Sequence, residues 1–184
     1  INGPKNPQFS FATTLTGEIR DRDAELLVDY KNGKGETGVL LGVNARPLFE
    51  GHGKGNGIAF TLIPENPIVA FQRFHFNENH NWIYLHKNMR VYANVDMWDE
   101  EGMGFRVHSV PGDTVSLQNI DVEIRRIRLQ EITSVLPYFP EITGLFSLEA
   151  HYIQTEKDLQ LSAEASVDEL TYERQRIGDV ALGA

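Results

Sequence analysis

The residues of this chain that could do chemistry fall in a few places. His75, His80 and His86 surround the polar run Asn77-Glu78-Asn79-His80-Asn81, which reads as the turn of a hairpin and would draw three imidazoles together. Imidazole nitrogens bind zinc and related ions, but His75 shares its parity with polar positions, His80 sits in the expected turn, and no carboxylate except Glu78 stands at ligand spacing. The spacing favours solvated histidines on a wet face over a metal centre, and no cofactor is implied. Asp96, Asp99, Glu100 and Glu101 gather around Trp98, the ingredients of a glycosidase or a sugar-binding surface; a charged turn after a long strand accounts for them equally.

Other catalytic signatures are missing. The glycine-rich run Gly51 to Gly57 lacks the Gly-Lys-Ser/Thr ending of a phosphate loop and leads into a strand, so it reads as a flexible hairpin loop. No Gly-x-Ser-x-Gly elbow occurs, and the absence of cysteine removes thiolate nucleophiles, thiolate metal sites and disulfides. The expectation is a protein that is not an enzyme and has no catalytic residues. With 26 Asp+Glu against 17 Lys+Arg, the net charge of −9 argues against nucleic acid, whose phosphates need concentrated cations. The one basic run, Arg125, Arg126 and Arg128, is too short to change that.

The elements that must position these residues are strands. Phe9, Phe11 and Leu15 alternate until Gly17; Leu26, Val28 and Tyr30 lead into the turn Asn32-Gly33-Lys34-Gly35. Val39, Leu41, Val43 and Ala45 form the next row, and Ile58, Phe60 and Leu62 another that Pro64 and Pro67 should stop. Met89, Val91, Ala93, Val95 and Met97 alternate over nine residues, roughly 30 Å of strand. Ile120, Val122 and Ile124 lie on even positions but Ile127 and Leu129 on odd ones. That change of parity at Arg125-Arg126 demands a bulge or the end of the strand, with the arginines in solvent.

Leu129, Ile132, Val135 and Leu136 then fall at helical spacing, a short helix over 129–136 that Pro137 ends. After Gly144 the period returns to two: Phe146, Leu148, Ala150 and Tyr152 on one face, a turn at Thr155 to Asp158, then Leu159, Leu161, Ala163, Ala165 and Val167. The fold class is therefore all-β and mainly antiparallel, with about ten strands and one short helix. Residues 1–128 form a strand-rich segment and 129–184 a helix plus hairpin continuing the sheet. The chain begins at Ile1 without methionine and the alternation Val180-Ala181-Leu182-Gly183-Ala184 stops without a turn signal, which reads as one unit excised from a longer protein. No apolar run approaches the ~20 residues that span a bilayer, so any membrane anchor is expected outside this segment.

The stretch from Leu129 to Asp179 resembles the TamB and AsmA-like family of Gram-negative envelope proteins, in the form found in Bacteroidetes. The resemblance is carried by the leucine-spaced helix running into Leu136-Pro137-Tyr138-Phe139-Pro140, by Ile142-Thr143-Gly144 opening a strand, and by Val167-Asp168-Glu169-Leu170-Thr171-Tyr172 with Ile177-Gly178-Asp179-Val180. It implies a periplasmic segment of a long protein anchored in the inner membrane, with an open, curled sheet forming a gutter with an apolar inner face. It also implies phospholipid transport or the assembly and secretion of outer-membrane proteins, with a phospholipid or other acyl chain as ligand and β-barrel assembly proteins as possible partners.

Physics gives such a gutter a plain basis: ten strands at ~4.8 Å span roughly 48 Å, and each buried methylene of an acyl chain contributes ~0.8 kcal/mol. The expected groove lining is Phe9, Phe11, Leu41, Phe60, Val91, Val95, Leu148, Leu161 and Ala163. Two other readings follow from the same residues. A β-sandwich needs the same alternation and would make a carbohydrate-binding module with Trp82 and Trp98 as its platform, while an exposed edge strand would make a protein-interaction domain.

Overall fold

The computed structural model describes residues 11–48, 56–110, 113, 115–134 and 140–184. Phe9, the glycine-rich residues 51–55, and Val135, Leu136 and the proline stop after them lie outside the described residues. Among the described residues twelve strands form: β1 Phe11–Arg20, β2 Asp23–Asn32, β3 Thr37–Leu48, β4 Gly57–Val69, β5 Gln72–Arg73, β6 His75–His86, β7 Val91–Trp98, β8 Gly104–Ser109, β9 Gln118–Arg128, β10 Ile142–Gln154, β11 Leu159–Tyr172 and β12 Gln175–Gly183. The one helix among the described residues, α1 Leu129–Ser134, stands between β9 and β10. Every pairing is antiparallel, and the order β1-β2-β3-β4-β6-β7-β8-β9-β10-β11-β12 follows the chain without a crossover, with β5 paired to β4 alone. β1 and β12 are not joined, so this is one open sheet. It is neither a closed barrel nor the two-sheet sandwich held as the alternative.

Several expected breaks are not breaks. β1 runs through Gly17, which pairs with Leu26, and β4 runs through Pro64 and Pro67. The prolines are tolerated because Leu40 pairs with Ile68 while Gly42 pairs with Ile63, so residues 64–67 stand outside the ladder and owe it no amide donor. The polar run 77–81 is not a hairpin turn either. It lies inside the continuous strand β6, where Phe76 pairs with Met97 and Asn81 with Val95, leaving residues 77–80 opposite Asp96 alone. The turns at Asn32 to Gly35, Asp99 to Gly102 and Thr155 to Asp158 form as the sequence indicates; in the last, Thr155 N donates to Asp158 O at 2.8 Å.

Because directly opposed residues share a face, the register can be followed across the whole sheet. Leu15 pairs with Val28, Val28 with Leu41, Val43 with Leu62, Phe60 with Ile83, Leu85 with Val91, Val95 with Val107, Val107 with Val122, Val122 with Ala150, Ala150 with Ala163 and Ala165 with Leu182. One face is thus apolar on every long strand. The opposite face carries Asp96 against Arg106, Glu123 against Glu149, and Asp121 against His151.

The parity fault at Arg125-Arg126 is a bulge. Ile124 pairs with Leu148 and Ile127 with Phe146, so two residues of β9 oppose Ser147 alone. Arg126 takes φ +54°, its amide donates to the Ser147 hydroxyl at 3.1 Å, and both arginines are exposed. The bulge absorbs the extra residue and so keeps Ile127 on the apolar face, where it packs with Val69, Phe76 and Phe105 against the buried cluster of Phe74, Met97 and Met103. Burial is deepest on β7, where Val95 is 1% exposed, and fails towards both ends: Ile19 is 81% exposed and Leu182 73%. Deleting Arg126 removes the bulge and the left-handed residue and leaves Arg125 alone opposite Ser147, so Ile127 stays on the apolar face by plain alternation, whereas Ile127→Ala empties its place beside the buried cluster. Chemical denaturation should register a change of under about 1 kcal/mol for the deletion and a loss of about 2 kcal/mol for Ile127→Ala.

Candidate functional site

The structure offers two surfaces with different chemistry, back to back on one sheet. On the apolar face it brings together most of the expected lining. Leu41, Phe60, Val91, Val95, Leu148, Leu161 and Ala163 share that face by register, and Phe11 joins it through its backbone pairing with Asn32 in the Leu15 and Val28 row. They do not share one degree of exposure. Val95 is fully buried, whereas Leu161 is 61% exposed, so the central lining is core and the peripheral lining is open surface. At one end Leu15, Ile19 and Leu26 are bare, and at the other Leu159, Leu161 and Leu182.

On the polar face the charges form two adjacent cross-strand rows. Asp96, Arg106, Glu123, Glu149 and Glu164 are opposed in sequence across β7 to β11, and Asn94, His108, Asp121, His151 and Ser162 make the next row. Arg106 reaches Asp96 at 3.3 Å and Glu123 at 3.6 Å, while Glu123 also pairs with Arg125. Asp121 stands between two imidazoles, His108 Nε2 at 3.3 Å and His151 Nδ1 in a direct hydrogen bond. Ser162 opposes His151 in the register, yet no hydrogen bond links them, so Asp121, His151 and Ser162 do not make an activated serine. Among the described residues no three metal-type ligands converge. His75 and His80 are exposed, and His86 bonds Asn88 at 2.7 Å.

The carboxylates near Trp98 are scattered by the fold. Asp99 Oδ1 closes its own turn by accepting from the amides of Glu101 and Met103, and Glu101 pairs with Arg128. Trp98 itself is covered by guanidinium groups, Arg125 at 4.8 Å and Arg106 at 5.7 Å from its ring centre. It fits there because its partner in β8 is Gly104, where a Cβ would collide with the indole and with the Met97 carbonyl. Trp98 is therefore not an open platform.

Asp96 is different. Its side chain is 4% exposed, and the inserted residues of β6 fold around it: Asn77 donates to Oδ2, His80 Nδ1 lies 3.7 Å from the same oxygen, and Arg106 completes the set. The insertion is held by Asn79 at φ +61°, a left-handed conformation that asparagine tolerates well, and by Asn81, whose amide bonds the Leu62 backbone N at 3.0 Å and O at 2.9 Å in place of a ladder pair. Beside Asp96 lies a trough of about 590 Å³ lined by Trp82, Tyr92, Asn94, His108 and Asp113 among others. Sequence reasoning missed this site because it took 77–81 for a turn; the signal available was the parity change between Phe76 and Ile83, the same fault that marked Arg125-Arg126.

No family model matches the chain, and neither a curated protein nor a solved structure matches it.

At the rim of the trough, Asp113 is held well below the usual carboxylate range, chiefly by the Ser116 amide donating to Oδ1 at 2.9 Å, then by Asn119 Nδ2 at 2.5 Å on Oδ2, with the Val115 amide adding to them. A carboxyl whose folded pKa is depressed stabilises the fold above its unfolded value, near pH 4, and loses that contribution as pH falls towards the folded value. Thermal melts should show Asp113→Asn unfolding at lower temperature than the parent at neutral pH, with the two curves converging as pH drops below about 4.

Proposed function

We propose that this chain is a non-catalytic segment whose apolar sheet face receives the acyl chains of phospholipid, within a longer envelope protein of the TamB and AsmA-like kind. The observation that carries this reading is the continuity of one apolar row from β1 to β12, left open to solvent at both ends. Soluble proteins rarely leave large aliphatic side chains contiguous and bare unless something covers them. Eleven strands in line at ~4.8 Å make a path of roughly 50 Å. That path offers an acyl chain apolar contact without polar anchors, so the chain is held yet free to slide. The resemblance of residues 129–179 to the family supports the same reading and adds a periplasmic location, with the inner-membrane anchor elsewhere in the protein. Among the described residues nothing pairs with the outer sides of β1 and β12, and a strand added at either edge would lengthen the same face.

Native mass spectrometry of gently purified protein should find phospholipid bound, and cis-parinaric acid should bind and be displaced by phosphatidylglycerol. Leu161→Glu is expected to weaken that binding at least fivefold while changing stability by less than about 0.5 kcal/mol, because the side chain is already mostly exposed. Protein that carries no lipid and leaves cis-parinaric acid unbound would sink the reading.

A further inference from the structure

On the opposite face, we propose that the trough over β6, β7 and β8 is a binding site for an uncharged polyhydroxylated ligand, an oligosaccharide, with Trp82 as its apolar wall and Asn94, Asp96 and His108 as its polar floor. Three observations carry it. Two buried atoms of side chains that line the trough, Asp96 Oδ1 and His108 Nδ1, have no hydrogen-bond partner among the described residues, although each side chain is anchored through its other polar atom. Buried polar atoms are nearly always paired, and a hydroxyl, which both donates and accepts, suits a carboxylate oxygen and an imidazole nitrogen alike.

Charge is the second. The Asp96 carboxylate is already met by Arg106, so the floor neither demands a cation nor attracts an anion. The third is construction. Trp82 pairs with Asn94 and Asn94 with His108, which puts an indole, an amide and an imidazole in one cross-strand row, next to the row of Asp96 and Arg106. The inserted residues 77–80 hold Asp96 in place from the side. A sugar ring presents an apolar face to an aromatic wall and hydroxyls at its rim, and a volume of about 590 Å³ lies within the range of small-ligand sites.

The test uses cellohexaose, maltohexaose and chitohexaose as probes, by saturation-transfer NMR and by intrinsic fluorescence. With two tryptophans in the chain, Trp98→Phe leaves Trp82 as the single indole emitter, and this variant should keep a saturable fluorescence change with at least one probe. Trp82→Ala, folded by circular dichroism, should weaken the saturation-transfer signal at least tenfold, and Asn94→Ala should weaken it measurably. Should Trp98→Phe fail to fold, the NMR titration of the parent and of Trp82→Ala decides alone. Absence of saturable binding by all three sugars at millimolar concentration, or equal binding by parent and Trp82→Ala, overturns the proposal. Phospholipid capture by Trp82→Ala should match the parent, which separates failure here from failure of the acyl-chain reading.

Discussion

The constraint on which this structure depends is the period of two. A strand that loses or gains one residue turns every later side chain to the other face, and a sheet with one apolar face must prevent that on every strand. Here the apolar row changes parity within single strands, and each change is absorbed by an irregularity in pairing. Residues 64–67 stand out of β4, 77–80 out of β6, Arg125-Arg126 out of β9, and Asp168-Glu169 out of β11. Three of these insertions hold a non-glycine residue in the left-handed region: Asn79, Arg126 and Glu169. Each such residue costs of order 1–2 kcal/mol, comparable with the gain from keeping one large aliphatic side chain on the buried side. The strain is repaid because stepping the extra residues out of the ladder keeps every residue beyond them on its own face.

The same constraint explains why the core is narrow. In an open sheet, the apolar face of a strand is covered only where side chains from neighbouring turns and bends can fold over it. That happens around β7, where Phe74, Met97 and Met103 meet, with Phe76, Phe105 and Ile127 packed on them. β1, β2, β11 and β12 have neighbours within the sheet but little above it, so Leu15, Ile19, Leu161 and Leu182 stay in water. The stability of the sheet is therefore concentrated at its middle, its margins are held mainly by backbone pairing, and the rows of charge on the polar face run from β7 to β11. Those rows are not uniformly favourable. Glu123 is matched by Arg106 and Arg125, but Glu149 stands directly between Glu123 and Glu164, an arrangement of like charges that weakens the ladder.

Most of the architecture was legible because alternation is a strong signal wherever it runs unbroken. The antiparallel all-β class, the single short helix, the turns at Asn32, Asp99 and Thr155, and the bulge at Arg125-Arg126 all follow from residue spacing. Misreadings arose where the residues that make bulges are also those that make turns. Asn77-Glu78-Asn79-His80-Asn81 has the composition of a hairpin loop, and Pro64 and Pro67 look like stops; whether the chain reverses or only steps out of the ladder is decided by the partner strand. The lining of the apolar face was legible as a set, since parity alone assigns it, but exposure was not. Val95 and Leu161 look equivalent in the alternation, and only the position of their strands in the sheet makes one core and the other surface.

The insertion in β6 joins the two faces in one device. Four residues, 77–80, stand where the ladder needs one, and because the three extra ones bulge out of the pairing, Ile83 and Leu85 return to the apolar face. The apolar row does not need these residues, since a strand without the three extra ones would carry Ile83 and Leu85 on the face of Phe76 by plain alternation. Yet Asn77 and His80 both turn to Asp96, and Asn81 fills the ladder position that the insertion leaves empty. The apolar face gains nothing from the insertion; what the polar face gains from it is a buried carboxylate held on three sides beside an aromatic wall. The composition of the insertion is thus explained by the second surface and not by the first, which is the physical reason for treating the trough as a site in its own right.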